Sequence, residues 1–403
     1  MCSGGWVAKV YPIGGAARYV RETCTGGRMA TSDKHLARID VLRGVAILMV
    51  LVFHAWVAAF GRDQFDWGGL IDGTVPHPGR AFLLTYPVRF GNAGVSLFFV
   101  ISGYVIHRSY LRDAQFTWRG YVARRFWRIY PAYLVALVAV AVWLHREQTR
   151  DFALHAALAH NVSARTFFGI NPSLWSLAVE VQLYLLYPLA VAARRAWGPG
   201  GMLAVGVAAS TVWRLAAAAT TDLPGPQTYH IWLSPVALWP DWLLGAFLAD
   251  RHAGDRRAFA RPLAWAAVGV AVVVLGEVVR PLRVVQFSAA SLAAAALMEM
   301  YLYRRGSPGR LARVVAAVGL CSYSLYLIHQ PLMLEWVRLL NERGVTHPVA
   351  QVVGFVPYIL AAVGVAWLMY LVVEKGGTRL GRWLATAGGF GRRQVAGSAG
   401  GSR

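Results

Sequence analysis

The chain has 403 residues, 57% of them hydrophobic and 15% charged, with a mean hydropathy of +0.45 and a formal charge of +21. That apolarity exceeds what soluble domains of this length carry and excludes a disordered chain. The charge alone would fit nucleic acid, but the Lys and Arg fall in short segments between apolar runs, so no nucleic-acid partner is expected.

Residues 1–38 hold scattered Arg, Gly and Ser without an apolar core. This predicts a disordered cytoplasmic tail with no cleavable signal peptide, and leaves Met29 as an alternative start to Met1. Cys2, Cys24 and Cys321 are odd in number and far apart, so neither a disulfide framework nor a metal site is expected. Apolar runs long enough to cross a bilayer core of about 30 Å then occur near 41–60, 92–107, 128–145, 174–193, 200–219, 231–250, 262–279, 284–303, 314–339 and 349–373. The second is short and rich in Gly and Ser, and the sixth carries Pro235 and Pro240. The expected fold is all-α, a polytopic membrane helix bundle of about ten transmembrane helices over residues 39–375, with a disordered tail over 376–403. Of the 40 Lys and Arg, 29 fall on the side of the two termini and 11 on the other. The positive-inside rule makes the richer side cytoplasmic, both termini included, in a multi-pass protein of the cell inner (plasma) membrane. The oligomeric state is left open.

Within the first run, Arg43 and His54 are eleven residues apart, about 20° past three full turns and about 16 Å along a helix axis. They therefore share a face, with Asp40 placed for an i,i+3 ion pair to Arg43. An ionisable residue deep in a span is costly and marks a cavity or a functional site. His54 falls near mid-membrane on this count. Ser102 of Phe98-Phe-Val-Ile-Ser102-Gly103-Tyr104, Glu180 of Ser173-Leu-Trp-Ser-Leu-Ala-Val-Glu180, and His329 of Tyr323-Ser-Leu-Tyr-Leu-Ile-His329 fall at comparable depths. Four spans offering polar groups at one level predict a shared intramembrane cavity. Tyr184 and Asp241 are further candidates for its lining. Each of these also has a structural role open to it, as an interhelical hydrogen-bond partner or, for Ser102-Gly103, as a close packing contact.

The cytoplasmic stretch Arg119-Gly-Tyr-Val-Ala-Arg124-Arg125-Phe-Trp-Arg128-Ile-Tyr130-Pro131 is the other dense feature. Arg125 and Arg128 share a face at an expected helix start, where guanidinium forks and a helix N-terminus suit a phosphorylated ligand such as a nucleotide-containing thioester. No glycine-rich phosphate loop is present, so nothing supports ATP-driven chemistry.

Together these motifs resemble the acyltransferase family 3 membrane proteins over roughly residues 36–375. Arg43 and His54 match the family's Arg–ten residues–His element. Phe98–Tyr104 resembles its Phe-Phe-x-x-Ser-Gly-Tyr element, Arg124–Pro131 its Arg-Arg-x-x-Arg-Ile-x-Pro element, Ser173–Glu180 its Ser-Leu-Trp-Ser-Leu-x-x-Glu element, and Ser322–His329 its Ser-Tyr-x-x-Tyr-x-x-His element. Two positions depart. Glu374-Lys375-Gly376 stands where many members have Glu-x-Pro, and Leu238, Trp239 and Pro240 stand where a basic residue often precedes the acid at Asp241. Longer relatives append an extracytoplasmic SGNH-type hydrolase domain, for which no room is expected after residue 375.

The resemblance implies a membrane O-acyltransferase moving an acetyl or other short acyl group from cytoplasmic acyl-CoA to a hydroxyl of a sugar or glycosylated acceptor. Acyl-CoA is then a co-substrate, and no tightly bound cofactor is implied. His54 and Glu180 would be catalytic, Arg43, Arg125 and Arg128 would bind CoA, and Ser102, Tyr184, Asp241 and His329 would bind substrate. Two other classes stay open: a transporter or flippase of a glycan with Glu180 and His54 as a proton relay, and a carrier of acyl groups for a separate transferase.

Overall fold

The computed structural model describes residues 7–13, 16–22, 27–60, 80–143, 149–304 and 306–387. Cys2, Cys24 and the end of the expected tail beyond residue 387 lie outside the described residues. In the stretch expected to be an N-terminal tail, β1 (Val7–Ile13) pairs antiparallel with β2 (Ala16–Glu22). The other elements are helical: α1 (Gly27–Phe60), α2 (Arg80–Thr85), α3 (Ala93–Arg112), α4 (Trp118–Trp143), α5 (Thr149–Ala156), α6 (Ala164–Phe167), α7 (Leu174–Thr220), α8 (Tyr229–Trp232), α9 (Trp239–Ala253), α10 (Pro262–Leu275), α11 (Arg283–Leu302), α12 (Arg310–Leu320), α13 (Ser322–Glu342), α14 (Pro348–Met369) and α15 (Lys375–Ala387).

Among the described residues, six helical stretches are long and apolar enough to cross a membrane, or seven when the bent pair α12–α13 is taken as one span. The apolar runs of the sequence divide differently for identifiable reasons. The fourth and fifth join in the 47 residues of α7, which turns at Gly198 with φ 71° just before Pro199. A positive φ costs glycine nothing, and the position before a proline avoids the helical region. The ninth run breaks at Cys321, with α12 and α13 at 74°. The sixth begins late, because Pro240 falls in the first turn of α9, where its missing N–H is no loss. α9 and α10 are only 15 and 14 residues long. The C-terminal stretch expected to be disordered from residue 376 instead opens as helix α15. It lies against α4 so closely that a Cβ on Gly381 would meet the Trp127 side chain at 2.5 Å.

In a bilayer no water is released when apolar helices meet, so close association depends on small residues that let backbones approach. Among the crossings of that kind, two bear on the polar side chains. A Cβ on Gly103 of α3 would sit 1.9 Å from the Trp242 carbonyl oxygen of α9, and one on Gly245 1.9 Å from the Val100 carbonyl oxygen. Likewise Gly44 of α1 and Gly319 of α12 would meet the carbonyl oxygens of Val315 and Asp40 at 2.0 and 1.8 Å. These contacts set the walls between which the polar side chains converge.

Between α4 and α7 the chain folds back onto the bundle, outside the crossing helices. Tyr133 donates to the His155 carbonyl at 2.6 Å, and the Asn161 and Gln182 amides exchange hydrogen bonds at 2.8 and 3.0 Å. The His155 and His160 rings are fully buried and stack with centroids 4.0 Å apart. Burial holds His155 below the ordinary histidine value and pushes His160 down to about 3. Both are thus neutral when folded, whereas the unfolded chain takes up their protons near about 6.5. With the folded values depressed, their contribution to stability is complete above about pH 6.5 and is lost progressively as the pH falls toward 3. The thermal midpoint of the detergent-solubilised chain is expected to fall on acidification below about 6.5, and His160→Phe, which keeps the stack, is expected to flatten that fall. An unchanged slope in the variant would remove this pair from the acid response.

Candidate functional site

Six of the nine side chains singled out in the sequence line one cavity with a free volume of about 110 Å³: Arg43, Ser102, Arg125, Arg128, Glu180 and Tyr184. Arg43 comes from α1 and is 3.4 Å from the Asp40 carboxylate, three residues earlier. Arg125 and Arg128 lie on α4 and line the cavity. α4 begins at Trp118, seven residues before Arg125, so the expected helix N-terminus is not beside them. Any phosphate held here is therefore met by guanidinium groups rather than by open backbone N–H groups. The Nε of Arg125 is buried and makes no hydrogen bond to the described residues.

The far wall is a hydrogen-bonded chain from three helices. The Trp242 indole donates to Ser102 Oγ at 3.2 Å, and Ser102 Oγ lies 3.2 Å from the Tyr184 hydroxyl. That hydroxyl spends its one proton on Glu180 Oε1 at 2.5 Å, so Ser102 must be the donor to Tyr184. Glu180 and Tyr184 are four apart on α7 and share a face. Trp242 is available because the Gly103–Gly245 crossing brings α9 onto α3 within backbone contact.

Sequence reasoning missed several lining residues. Glu374 closes the arginine end from the π-turn Tyr370–Glu374, with Oε2 3.2 Å from Ser324 Oγ. Its signal was visible, as a carboxylate ending the last apolar run. Tyr326 lines the opposite wall, donating to the Ser173 carbonyl at 2.9 Å and accepting from Ser176 Oγ at 2.5 Å.

His54 and His329 do not line this cavity, contrary to the expectation of one shared space for all four polar levels. They touch each other behind Tyr326, whose ring centroid is 5.4 Å from that of His329. His329 Nδ1 donates to the Tyr326 carbonyl at 2.8 Å, which leaves its Nε2 as an acceptor. His54 Nδ1 lies 2.9 Å from the Val50 carbonyl and 3.3 Å from that Nε2. Both neighbours accept, so the proton of neutral His54 is on Nδ1 and its basic nitrogen is Nε2. His329 is fully buried, its carbonyl accepts from the Tyr358 hydroxyl, and its ring meets His54 rather than the cavity.

Asp241 is also absent from the cavity. It is 1% exposed and accepts from Ser288 Oγ at 3.1 Å, while Arg214 donates to the same Ser288 oxygen at 2.9 Å. Its neighbour Trp242 is the α9 residue that reaches Ser102, because one helical step turns a side chain by about 100°.

A multi-helix membrane protein with a narrow cavity, three arginines at one end and a carboxylate–phenol–hydroxyl chain inside, defines the class by its architecture. The family model described as an acyltransferase domain matches residues 36–371, and the chain belongs to that family. Its relatives include the peptidoglycan O-acetyltransferase OatA of Listeria monocytogenes, 30% identical over 39% of this chain and 24% of that protein. Nodulation protein 10 of Rhizobium leguminosarum bv. viciae is 27% identical over 46% and 52% of the two chains, and the O-acetyltransferase OatA of Staphylococcus aureus 28% over 40% and 25%. The chain spans about half or less of the length of these relatives. No solved structure matches.

Proposed function

We propose that this protein is an O-acyltransferase of the inner (plasma) membrane, taking an acetyl or other short acyl group from cytoplasmic acyl-CoA and placing it on a hydroxyl of a sugar or glycoside. Ten crossings with both termini cytoplasmic belong to the same reading. They follow if α7 crosses twice about Gly198, if α12–α13 is one broken span, and if the short α9 and α10 also cross. The observation that carries it is the arginine end of the cavity. Arg43, Arg125 and Arg128 gather there with two lining carboxylates, Glu180 and Glu374, while a third, Asp40, pairs with Arg43 outside the lining. Guanidinium groups at the mouth bind the nucleotide phosphates, and a cavity of about 110 Å³ suits the thin thioester arm better than a whole sugar ring.

In this reading His54 Nε2 is the base that takes the proton from the acceptor hydroxyl as that oxygen attacks the thioester carbonyl and the thiolate leaves as CoA. This requires the Tyr326 side chain, standing between His54 and the cavity, to swing aside when substrate binds. His329 holds the His54 ring in the tautomer that presents Nε2. Tyr184 and Ser102 polarise or position the reacting groups beside Glu180. The cognate names of the relatives, peptidoglycan O-acetyltransferase among them, support a glycan acceptor.

The donor assignment is tested by the acetyl-CoA dependence of CoA release from the purified chain. Arg128→Ala is expected to raise the acetyl-CoA KM about tenfold, the loss of one charge-assisted contact, while kcat at saturating donor changes little. An unchanged KM in Arg128→Ala and Arg125→Ala would sink the placement of CoA at this end.

A further inference from the structure

The loop between α9 and α10 and the C-terminal end of α11 enclose an open groove with a free volume of about 470 Å³, whose lining includes Arg257, Arg261, Leu263, Met300, Tyr303 and Arg304. That volume lies in the range of sites that take a small molecule. Arg38 of α1 donates to the Leu302 and Gly306 carbonyls, both at 2.7 Å. The groove therefore lies at the end of the bundle where α1 enters its apolar run, the end that carries Arg43.

Its basic side chains are held in place. Arg251 donates to the Arg257 carbonyl at 3.2 and 3.1 Å, and the Tyr303 hydroxyl donates to the Arg256 carbonyl at 3.1 Å. The Arg257 guanidinium lies 4.9 Å over the Tyr303 ring, which orients the cation without supplying a counter-charge. Among the described residues Arg257, Arg261 and Arg304 make no ion pair, and no carboxylate lines the groove. Of the carboxylates beside it, Glu299 accepts from the Ala258 and Phe259 N–H groups at 2.6 and 3.1 Å and lies 3.5 Å from His252. Asp255 is exposed next to Arg256. Against these two stand five arginines, at positions 251, 256, 257, 261 and 304.

From the groove an exposed apolar stripe runs down α10. Leu263 is 65% exposed, Val270 51% and Val274 46%, and Ala267 between them is exposed as well. Steps of four, seven and eleven residues keep the other three within about 40° of Leu263, and eleven residues cover about 16 Å of helix axis. Basic pockets between helices at a membrane surface hold anionic headgroups, and guanidinium forks match a phosphate. A phosphate on the arginines with hydrocarbon along the stripe satisfies both halves of the surface, whereas a soluble phosphate satisfies only one.

We propose that this groove binds one anionic phospholipid of the adjoining leaflet, with its phosphate on Arg257, Arg261 and Arg304 and an acyl chain along the α10 stripe. The site shares no lining residue with the cavity that holds Arg43 and Glu180, and it is read by binding without turnover.

The test is native mass spectrometry of the full chain in detergent, titrated with dioleoylphosphatidylglycerol or with dioleoylphosphatidylcholine. The first anionic lipid is expected to bind at least about tenfold more tightly than the zwitterionic one. Arg261→Gln combined with Arg304→Gln is expected to remove about tenfold of that affinity. Arg119→Gln combined with Arg124→Gln takes the same charge from the exposed start of α4 and is expected to leave it within about twofold. Equal affinity for the two lipids would overturn the proposal. So would a loss in the groove variant no larger than in the α4 variant, since general attraction to a basic protein end would then suffice. Displacement by sn-glycerol 3-phosphate at the lipid's own concentration would make this a site for a soluble phosphate and overturn it too. The same spectra report the number of chains, and a dimer dissolved by Arg261→Gln with Arg304→Gln would make the groove an interface between copies instead.

Discussion

His54→Ala is expected to lower acyl transfer by about 10²- to 10⁴-fold, the range for removing a positioned general base. Val50 and His329 both accept at the Nδ1 side of His54, so the imidazole is fixed with Nε2 as its base. A glutamine at position 54 keeps a donor toward Val50 but supplies no basic nitrogen, so His54→Gln should fall nearly as far as the alanine variant. The measurement is CoA release with saturating acetyl-CoA and an acceptor glycan. A donor KM that stays put while kcat collapses marks loss of a group acting in the transition state. Full turnover by His54→Ala would sink the mechanism.

Gly103→Val is expected to destabilise the bundle by at least about 3 kcal/mol, at the upper end of what overpacking costs. A Cβ there falls 1.9 Å from the Trp242 carbonyl oxygen, and a backbone atom cannot turn aside as a flexible side chain can. α3 and α9 would have to separate, which also breaks the 3.2 Å bond from Trp242 to Ser102 and leaves the Tyr184–Glu180 chain without its anchor. Gly245→Val forces the same helices apart from the other side, against the Val100 carbonyl. The two single variants should each lower the thermal midpoint in detergent, and the double variant should cost less than their sum because one separation serves both. A midpoint equal to that of the unaltered chain in either single variant would contradict the crossing.

Much of the cavity was legible along the chain because charges inside apolar runs are rare and costly. Arg43, Arg125, Arg128 and Glu180 stand out on that ground alone. Helical spacing places Arg43 and His54 on one stripe of α1, and depth follows from counting residues at about 1.5 Å each. What counting leaves open is azimuth. Ser102, Glu180, His54 and His329 come out at one depth, yet the first two face the cavity and the two histidines face each other behind Tyr326. Asp241 and Trp242 are adjacent in sequence, but only Trp242 turns toward Ser102. Glu374 is named in the sequence only as the acid of Glu374-Lys375-Gly376, and position at the end of an apolar run does not tell which way its carboxylate turns. The π-turn at Tyr370–Glu374 places it in the cavity lining instead.

Composition and the positions of charge by themselves determined that this is a multi-helix membrane protein, since both depend only on the transfer cost of each residue from water to hydrocarbon. The motif spacing likewise placed it in its acyltransferase family, which the match over residues 36–371 shows. Only the tertiary structure decided which polar groups meet. Helices in a bilayer are rotated and spaced by small-residue contacts such as Gly103 on α9 and Gly319 on α1. Those contacts join residues far apart in sequence, so no local pattern encodes them. They put the arginines and the Glu180 chain in one cavity, set the His54–His329 pair behind its wall, and leave Asp241 outside it, bonded to Ser288.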